Sequence, residues 1–190
     1  ALPICLALGL GQAMAQGVIK IGEINSYKAQ PAFLEPYKKG MELAVDEINA
    51  AGGVNGKKIQ LIIRDDNANP GDAVRAAEEL VSREGVEVLS GAFLSHIGLA
   101  LTDFSKQKKF FFLAGEPLTD KIVWENGHKY TFRLRASTYM QAAMLVPEAA
   151  KLKKKRWAVV YPNYEYGQSA VATFKKLDRK STRLNSSHRT

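Results

Sequence analysis

At 190 residues, 46% of them apolar, the chain has room for about one domain with an ordinary globular core. Its formal charge of +8 comes from 27 basic and 19 acidic residues, but basic residues are not interleaved with aromatics across one face, so nucleic acid is not an expected partner. The single cysteine, Cys5, provides neither a disulfide nor a cysteine metal site. In chain order, Leu2 to Leu10 is an apolar run too short to span a bilayer, followed by Ala13-Met14-Ala15-Gln16, a small-residue cleavage pattern. Residues 1–15 therefore read as a secretory signal peptide without its charged start, the alternative being a buried core helix. Cys5 is a poor lipid anchor, because Ile4 stands where a small residue is wanted.

Val18-Ile19-Lys20-Ile21-Gly22 is a short buried strand, and Met41, Ala44, Val45 and Ile48 then recur at the spacing of one helix face. Gly52-Gly53 stops that helix and Asn55-Gly56 turns the chain into a second strand, Lys58 to Ile63. Asp72 to Arg83 is a helix with Ala73, Ala76, Ala77 and Leu80 inward, Val86 to Leu89 a third strand, Ser95 to Lys106 a helix, and Phe110 to Leu113 a fourth strand. Tyr130 to Leu134 is a fifth strand, and Arg135-Ala136-Ser137 crosses into a second lobe with helix Tyr139 to Leu152, strand Trp157 to Tyr161 and helix Gly167 to Leu177. Strand and helix alternate as a parallel α/β sheet flanked by helices requires.

After Leu177 the helical pattern gives way to Lys180-Ser181-Thr182-Arg183-Leu184-Asn185-Ser186-Ser187-His188-Arg189-Thr190, polar and aperiodic, which resembles a translated sequencing adapter; a natural disordered tail is the alternative. The stretch after Asp178 holds Arg179, Lys180, Arg183 and Arg189, and without it 23 basic residues face 19 acidic ones, or +4. The run Lys153-Lys154-Lys155-Arg156 sits where a helix ends, a position that favours cations.

The stretch from Gly40 through Ala50-Ala51-Gly52-Gly53-Val54-Asn55-Gly56, followed by Arg64-Asp65-Asp66 and Pro70, resembles the amino-terminal lobe of the branched-chain amino-acid-binding (Leu/Ile/Val-type) proteins, the periplasmic substrate-binding receptors of ABC transporters. The similarity continues through Tyr166-Gly167 and covers about residues 18 to 178. It implies a type I periplasmic-binding fold with a nearly complete N-terminal lobe over 16–136, the start of an incomplete second lobe over 137–178, and a non-native or disordered tail over 179–190. It also implies a periplasmic receptor that closes on an amino acid or similar carboxylate and is recognised by a permease and its ATPase, touching the membrane only through the permease. No cofactor, metal or catalysis is expected. Some relatives carry a disulfide after the second strand, where this chain has Asn67, Ala68 and Asn69.

In an open α/β sheet, ligands bind at the carboxyl ends of the strands. Ser26 and Tyr27 stand at the first strand's exit, and each suits packing as well as recognition. After the third strand Ser95 opens a helix, so its hydroxyl and the amides behind it suit a carboxylate, or it merely caps its own helix; the resemblance implies the carboxylate role, with His96 beside it. The fourth strand leads into Ala114-Gly115-Glu116-Pro117, where Gly115 and Glu116 occupy a ligand loop of relatives, although Glu116 departs from their small or hydroxyl residues. The resemblance further implies Phe33 against the ligand side chain, Tyr166 closing on it from the second lobe, and Tyr164 beside it. As an enzyme the chain offers little: Ser95-His96 lacks a nucleophile elbow, Gly22-Glu23-Ile24-Asn25-Ser26 is no dinucleotide fingerprint, and His128 and His188 have no partners at metal spacing. Asp65-Asp66 suits a phosphoacceptor or metal pocket, or else a helix cap bridging neighbouring loops. The resulting expectation is a solute-binding receptor of an importer, with a sensor of the same fold and an α/β enzyme as alternatives, which flanking permease and ATPase genes would separate. Branched-chain, aromatic and amide ligands all remain open.

Overall fold

The computed structural model describes residues 17–154 and 156–186, with side chains placed as far as Asp178. The proposed signal segment 1–15, with Cys5, lies outside the described residues. Strands β1 (Ile19–Asn25), β2 (Ile59–Asp65), β3 (Val88–Gly91), β4 (Phe112–Ala114) and β5 (Thr131–Arg133) form one parallel sheet in the order β2-β1-β3-β4-β5. Helices α1 (Pro31–Ala50), α2 (Pro70–Glu79) and α3 (Ser95–Lys108) connect the first four strands, and α4 (Thr138–Lys151) and α5 (Glu165–Ser186) follow the sheet.

Local chemistry sets the boundaries of these elements. Pro31 enters α1 at its first turn, where a missing N–H costs nothing. At the other end Gly53 takes φ +78, and a β-carbon there would stand 2.1 Å from the Lys57 carbonyl oxygen, so only glycine makes this stop. Asn55 and Gly56, at φ 50 and 78, supply the left-handed pair that turns the chain into β2. Asn69 caps α2 by accepting the N–H groups of Gly71 and Asp72 at 2.8 and 3.1 Å. A π-helical turn over Leu80–Glu84 closes that helix on Gly85, whose φ is 65.

Right-handed connections put α2 and α3 on one face of the sheet and α1 on the other, because β2 and β3 lie on opposite sides of β1. The α2–α3 face is sealed. Ala73, Ala77 and Leu80 from α2 and Ile97, Leu101 and Phe104 from α3 close over Ile24, Leu89, Phe112 and Ala114. Each fully buried large apolar side chain there contributes roughly 1.5–3 kcal/mol relative to exposure. Gly22 is small because a β-carbon would meet Leu80, Leu89 and Val86 at 3.0–3.2 Å.

The other face is different. In α1 only Leu34 is buried; on the face formed by Met41, Ala44, Val45 and Ile48, Met41 and Val45 are partly covered and Ala44 and Ile48 are exposed. Phe111 and Phe132, 40% and 50% exposed, stack on one another at 5.4 Å with nothing laid over them among the described residues.

Two expectations are corrected beyond the sheet. The predicted strand Trp157 to Tyr161 has no sheet pairing: no strand edge stands beside it among the described residues, and a strand has no hydrogen-bonded existence without a neighbour. It runs instead past α4 and α5, enclosing with them an apolar cavity of about 730 Å³ lined by Ala142, Leu145, Trp157, Val159 and Phe174. Helix α5 does not stop near Leu177 but continues to Ser186, since Lys, Arg, Leu and Ser are all compatible with a helix once a turn has been nucleated.

Candidate functional site: a cleft at the strand ends

The carboxyl ends of β3 and β4 open toward the start of α5, and between them lies a cavity of about 210 Å³. It is lined by Phe33, Phe93, Ser95, Glu116 and Leu118, by Arg135 from the segment after β5, and by Tyr164 and Tyr166 beside the start of α5. Five sequence candidates are thus brought together: Phe33, Ser95, Glu116, Tyr164 and Tyr166. Phe93, Leu118 and Arg135 were not singled out from sequence. Phe93 and Leu118 follow strands three and four directly, and that position could have flagged them; Arg135, in a crossing segment, carries no such signal.

The walls are aromatic. Phe33 stacks on Phe93 with ring centroids 5.5 Å apart at 25°, and Tyr164 and Tyr166 stand 6.1 Å apart at 48°. Ser95, 1% exposed, does not cap its own helix: its Oγ accepts the backbone N–H groups of Leu118 at 3.2 Å and Thr119 at 3.3 Å. Two amides on the oxygen orient the hydroxyl, whose proton remains to be donated. Glu116 has one carboxyl oxygen, Oε2, buried without a hydrogen-bond partner. Burial pushes its pKa up, and the Arg135 guanidinium offsets part of that rise.

The remaining candidates stand behind the cavity. Ser26 is fully buried and donates its hydroxyl to Asp66 Oδ1 at 2.6 Å. Asp66 Oδ1 also accepts the Ala68 N–H at 2.8 Å, while Asp65 accepts the N–H groups of Lys28 at 2.9 Å and Asn67 at 2.7 Å. The two aspartates therefore bridge the loops after β1 and β2, and the helix cap falls to Asn69. His96 packs edge-on against Tyr164 at 5.6 Å, behind the cavity wall. Gly115 donates its N–H to Gly91 at 2.9 Å and lies under the Tyr37 hydroxyl, which a β-carbon would meet at 3.0 Å. Tyr27 has its hydroxyl buried beside Glu23.

Glu23 escaped the sequence reading as anything but a strand residue. It is fully buried on the α1 side of β1, and its Oε1 accepts from Asn25 Nδ2 at 3.1 Å. Burial pushes its pKa up to about 8, partly opposed by the Asn25 hydrogen bond and the nearby Tyr27 hydroxyl and reinforced by the negative charges of Glu116 and Asp66. Burial likewise raises the hydroxyl pKa values of Tyr27 and Tyr37 beside it. Among the described residues no group of three His, Cys, Asp or Glu is arranged to hold a metal ion, and no helix is long and apolar enough to cross a membrane.

The cleft thus sits at the carboxyl ends of a parallel α/β sheet, with Tyr164 and Tyr166 completing its lining. The periplasmic binding protein family matches residues 18–181, and the chain belongs to that family. It is 33% identical over 195 residues to the Leu/Ile/Val-binding protein homolog 7 of Brucella abortus, a match covering 94% of this chain and 47% of the relative. Among solved structures it resembles the branched-chain amino acid transporter substrate-binding protein LivJ of Streptococcus pneumoniae in complex with isoleucine, at 25% identity and a TM-score of 0.75, covering 84% of this chain and 46% of that one. A solute-binding protein of an ABC transporter from Rhodopseudomonas palustris, in complex with 3,4-dihydroxy benzoic acid, matches at 26% identity and a TM-score of 0.77, covering 86% and 44%. The fold is that of the type I periplasmic-binding proteins. The chain spans about half the length of the curated relatives it matches.

Proposed function

We propose that the chain forms most of the ligand cleft of a periplasmic receptor that hands a small carboxylate, an amino acid or an aromatic acid, to an ABC importer and performs no chemistry on it. The observation that carries this reading is the composition of the cleft. Among the described residues Arg135 is the single cation in its lining, Ser95 has a hydroxyl proton to give, and four aromatic rings surround them. A guanidinium and an oriented hydroxyl are donors suited to a carboxylate, and stacked rings suit an apolar or aromatic body. The relatives point the same way, one solved with isoleucine and another with a dihydroxybenzoic acid.

Calorimetry on the full-length receptor against leucine, isoleucine and 3,4-dihydroxybenzoate tests the assignment. Ser95→Ala is expected to weaken the best of these by roughly 1–3 kcal/mol, as loss of a hydrogen bond to a charged group does. Arg135→Gln should weaken all carboxylates and leave their order unchanged. Absence of binding across the panel, or full affinity in Ser95→Ala, would reject the reading.

A further inference from the structure

Between the two tyrosines that the second lobe contributes to the cleft stands Glu165, in the first turn of α5. Its side chain is 14% exposed and turns away from the cavity toward the first lobe. Oε1 accepts the Thr119 hydroxyl at 2.7 Å, and Oε2 meets the Lys121 ammonium at 3.1 Å. Thr119, fully buried, is the same residue whose N–H is donated to Ser95 Oγ. One short chain of bonds therefore runs from Glu165 through Thr119 to the hydroxyl placed for a ligand carboxylate.

The segment 118–121 is held from the crossing side as well. Arg133 Nη1 donates to the Thr119 carbonyl at 2.9 Å, and the Thr138 N–H donates to the Leu118 carbonyl at 2.8 Å. The Thr138 hydroxyl donates to Asp120 Oδ2 at 2.6 Å and lies 2.7 Å from Ser169 Oγ on α5. Those bonds tie the loop to β5, to α4 and, through Thr138, to Ser169 in the second turn of α5. Glu165 ties it directly to the turn that carries Tyr164 and Tyr166.

We infer that Glu165 is a positioning residue of the cleft: it latches the start of α5 to the loop after β4, so that seating Tyr164 and Tyr166 and orienting Ser95 are one event. The inference rests on the ligand-cleft reading for its consequence, but the latch itself exists without ligand. A carboxylate suits the task because it takes a hydroxyl and an ammonium at once, and the partly withdrawn site strengthens both bonds relative to open water. When the lobes part, both partners are rehydrated, so the latch opposes opening without making closure irreversible.

The test has two arms on the full-length receptor. In the absence of ligand, hydrogen exchange at the Leu118 and Thr119 amides is expected to rise about tenfold in Glu165→Ala, and Glu165→Gln, which keeps an oxygen for the Thr119 hydroxyl, should recover part of that loss. Thr119→Val should act like Glu165→Ala, and the double variant should add nothing to either. In the second arm, leucine or 3,4-dihydroxybenzoate should dissociate about tenfold faster from Glu165→Ala with a smaller change in association rate. Unchanged exchange at residues 118–119, or fully additive effects of the two substitutions, overturns the latch. Failure of every probe to bind overturns the ligand reading instead, and the exchange arm still decides the latch. If Glu165→Ala does not fold, Glu165→Gln and Thr119→Val carry the same comparison.

Discussion

Phe111 and Phe112 are neighbours at the start of β4, yet one is 40% exposed and the other fully buried. They face opposite sides of the same sheet, and the contrast between those sides runs through the whole molecule. On the α2–α3 side the alanine-lined α2 and the Ile97–Leu101–Phe104 face of α3 lie on the strands and exclude water. On the α1 side a single long helix reaches β2 and, through Phe33 and Tyr37, the strand ends at the cleft, and among the described residues nothing lies over the Phe111–Phe132 stack. The same α/β alternation thus produces a sealed face and an open one, because two crossover helices lie on one side of the sheet and one on the other. Toward the cleft the α1 side closes again around polar groups: Glu23, Tyr27 and Tyr37 fill the space that apolar side chains fill opposite.

The largest expected effect breaks or confirms that contrast within one strand. Phe112→Ala should cost about 3–5 kcal/mol, while Phe111→Ala, already half in water, should cost about 1 kcal/mol. Urea unfolding of the two variants decides it, and equal costs would mean that the open face is covered in solution.

The second probe is the buried acid on the α1 side. Glu23 has its folded pKa raised from 4.5 to about 8, so between those values the folded state holds a proton that the unfolded state has released. Stability contributed by this group is therefore fully present below about pH 4.5 and declines as pH rises to about 8, by an amount on the order of a few kcal/mol. Glu23→Gln should flatten that decline and raise stability at pH 8. A wild-type profile without slope over this window would place Glu23 in a wetter environment than the structure does.

A glycine on each side sharpens the comparison further. Gly22→Ala drives a β-carbon against Leu80, Leu89 and Val86 on the sealed face and should cost about 1–3 kcal/mol. Gly40→Ala, in the exposed middle of α1 with nothing within 4 Å, should give the smallest change and the opposite sign, a gain of about 0.5–1 kcal/mol from reduced chain entropy. Thermal unfolding distinguishes the two.

Much of this was legible in order along the chain. The residues Gly52-Gly53 and Asn55-Gly56 dictate a helix stop and turn by backbone sterics alone, and Ala73, Ala76, Ala77 and Leu80 mark the inward stripe of α2 by their spacing. Ser95 and Glu116 could be placed at strand ends, where an open sheet forms its clefts, and the family resemblance singled out Tyr166 beside them. These readings succeed because turn sterics and side-chain period are local. The tertiary structure alone decided the rest. The period of three and four in α1 marks an apolar face but not whether anything lies over it, and Ala44 and Ile48 remain exposed because among the described residues no second helix covers that side. Trp157 to Tyr161 has the composition of a strand and no partner strand to make it one. The hydroxyl of Ser95 serves a loop more than twenty residues away rather than its own helix, Arg135 enters the cleft from the segment after β5, and Glu165 joins the start of α5 to the loop after β4 through Thr119. Each of these depends on which distant backbone arrives alongside, a quantity that periodicity does not carry.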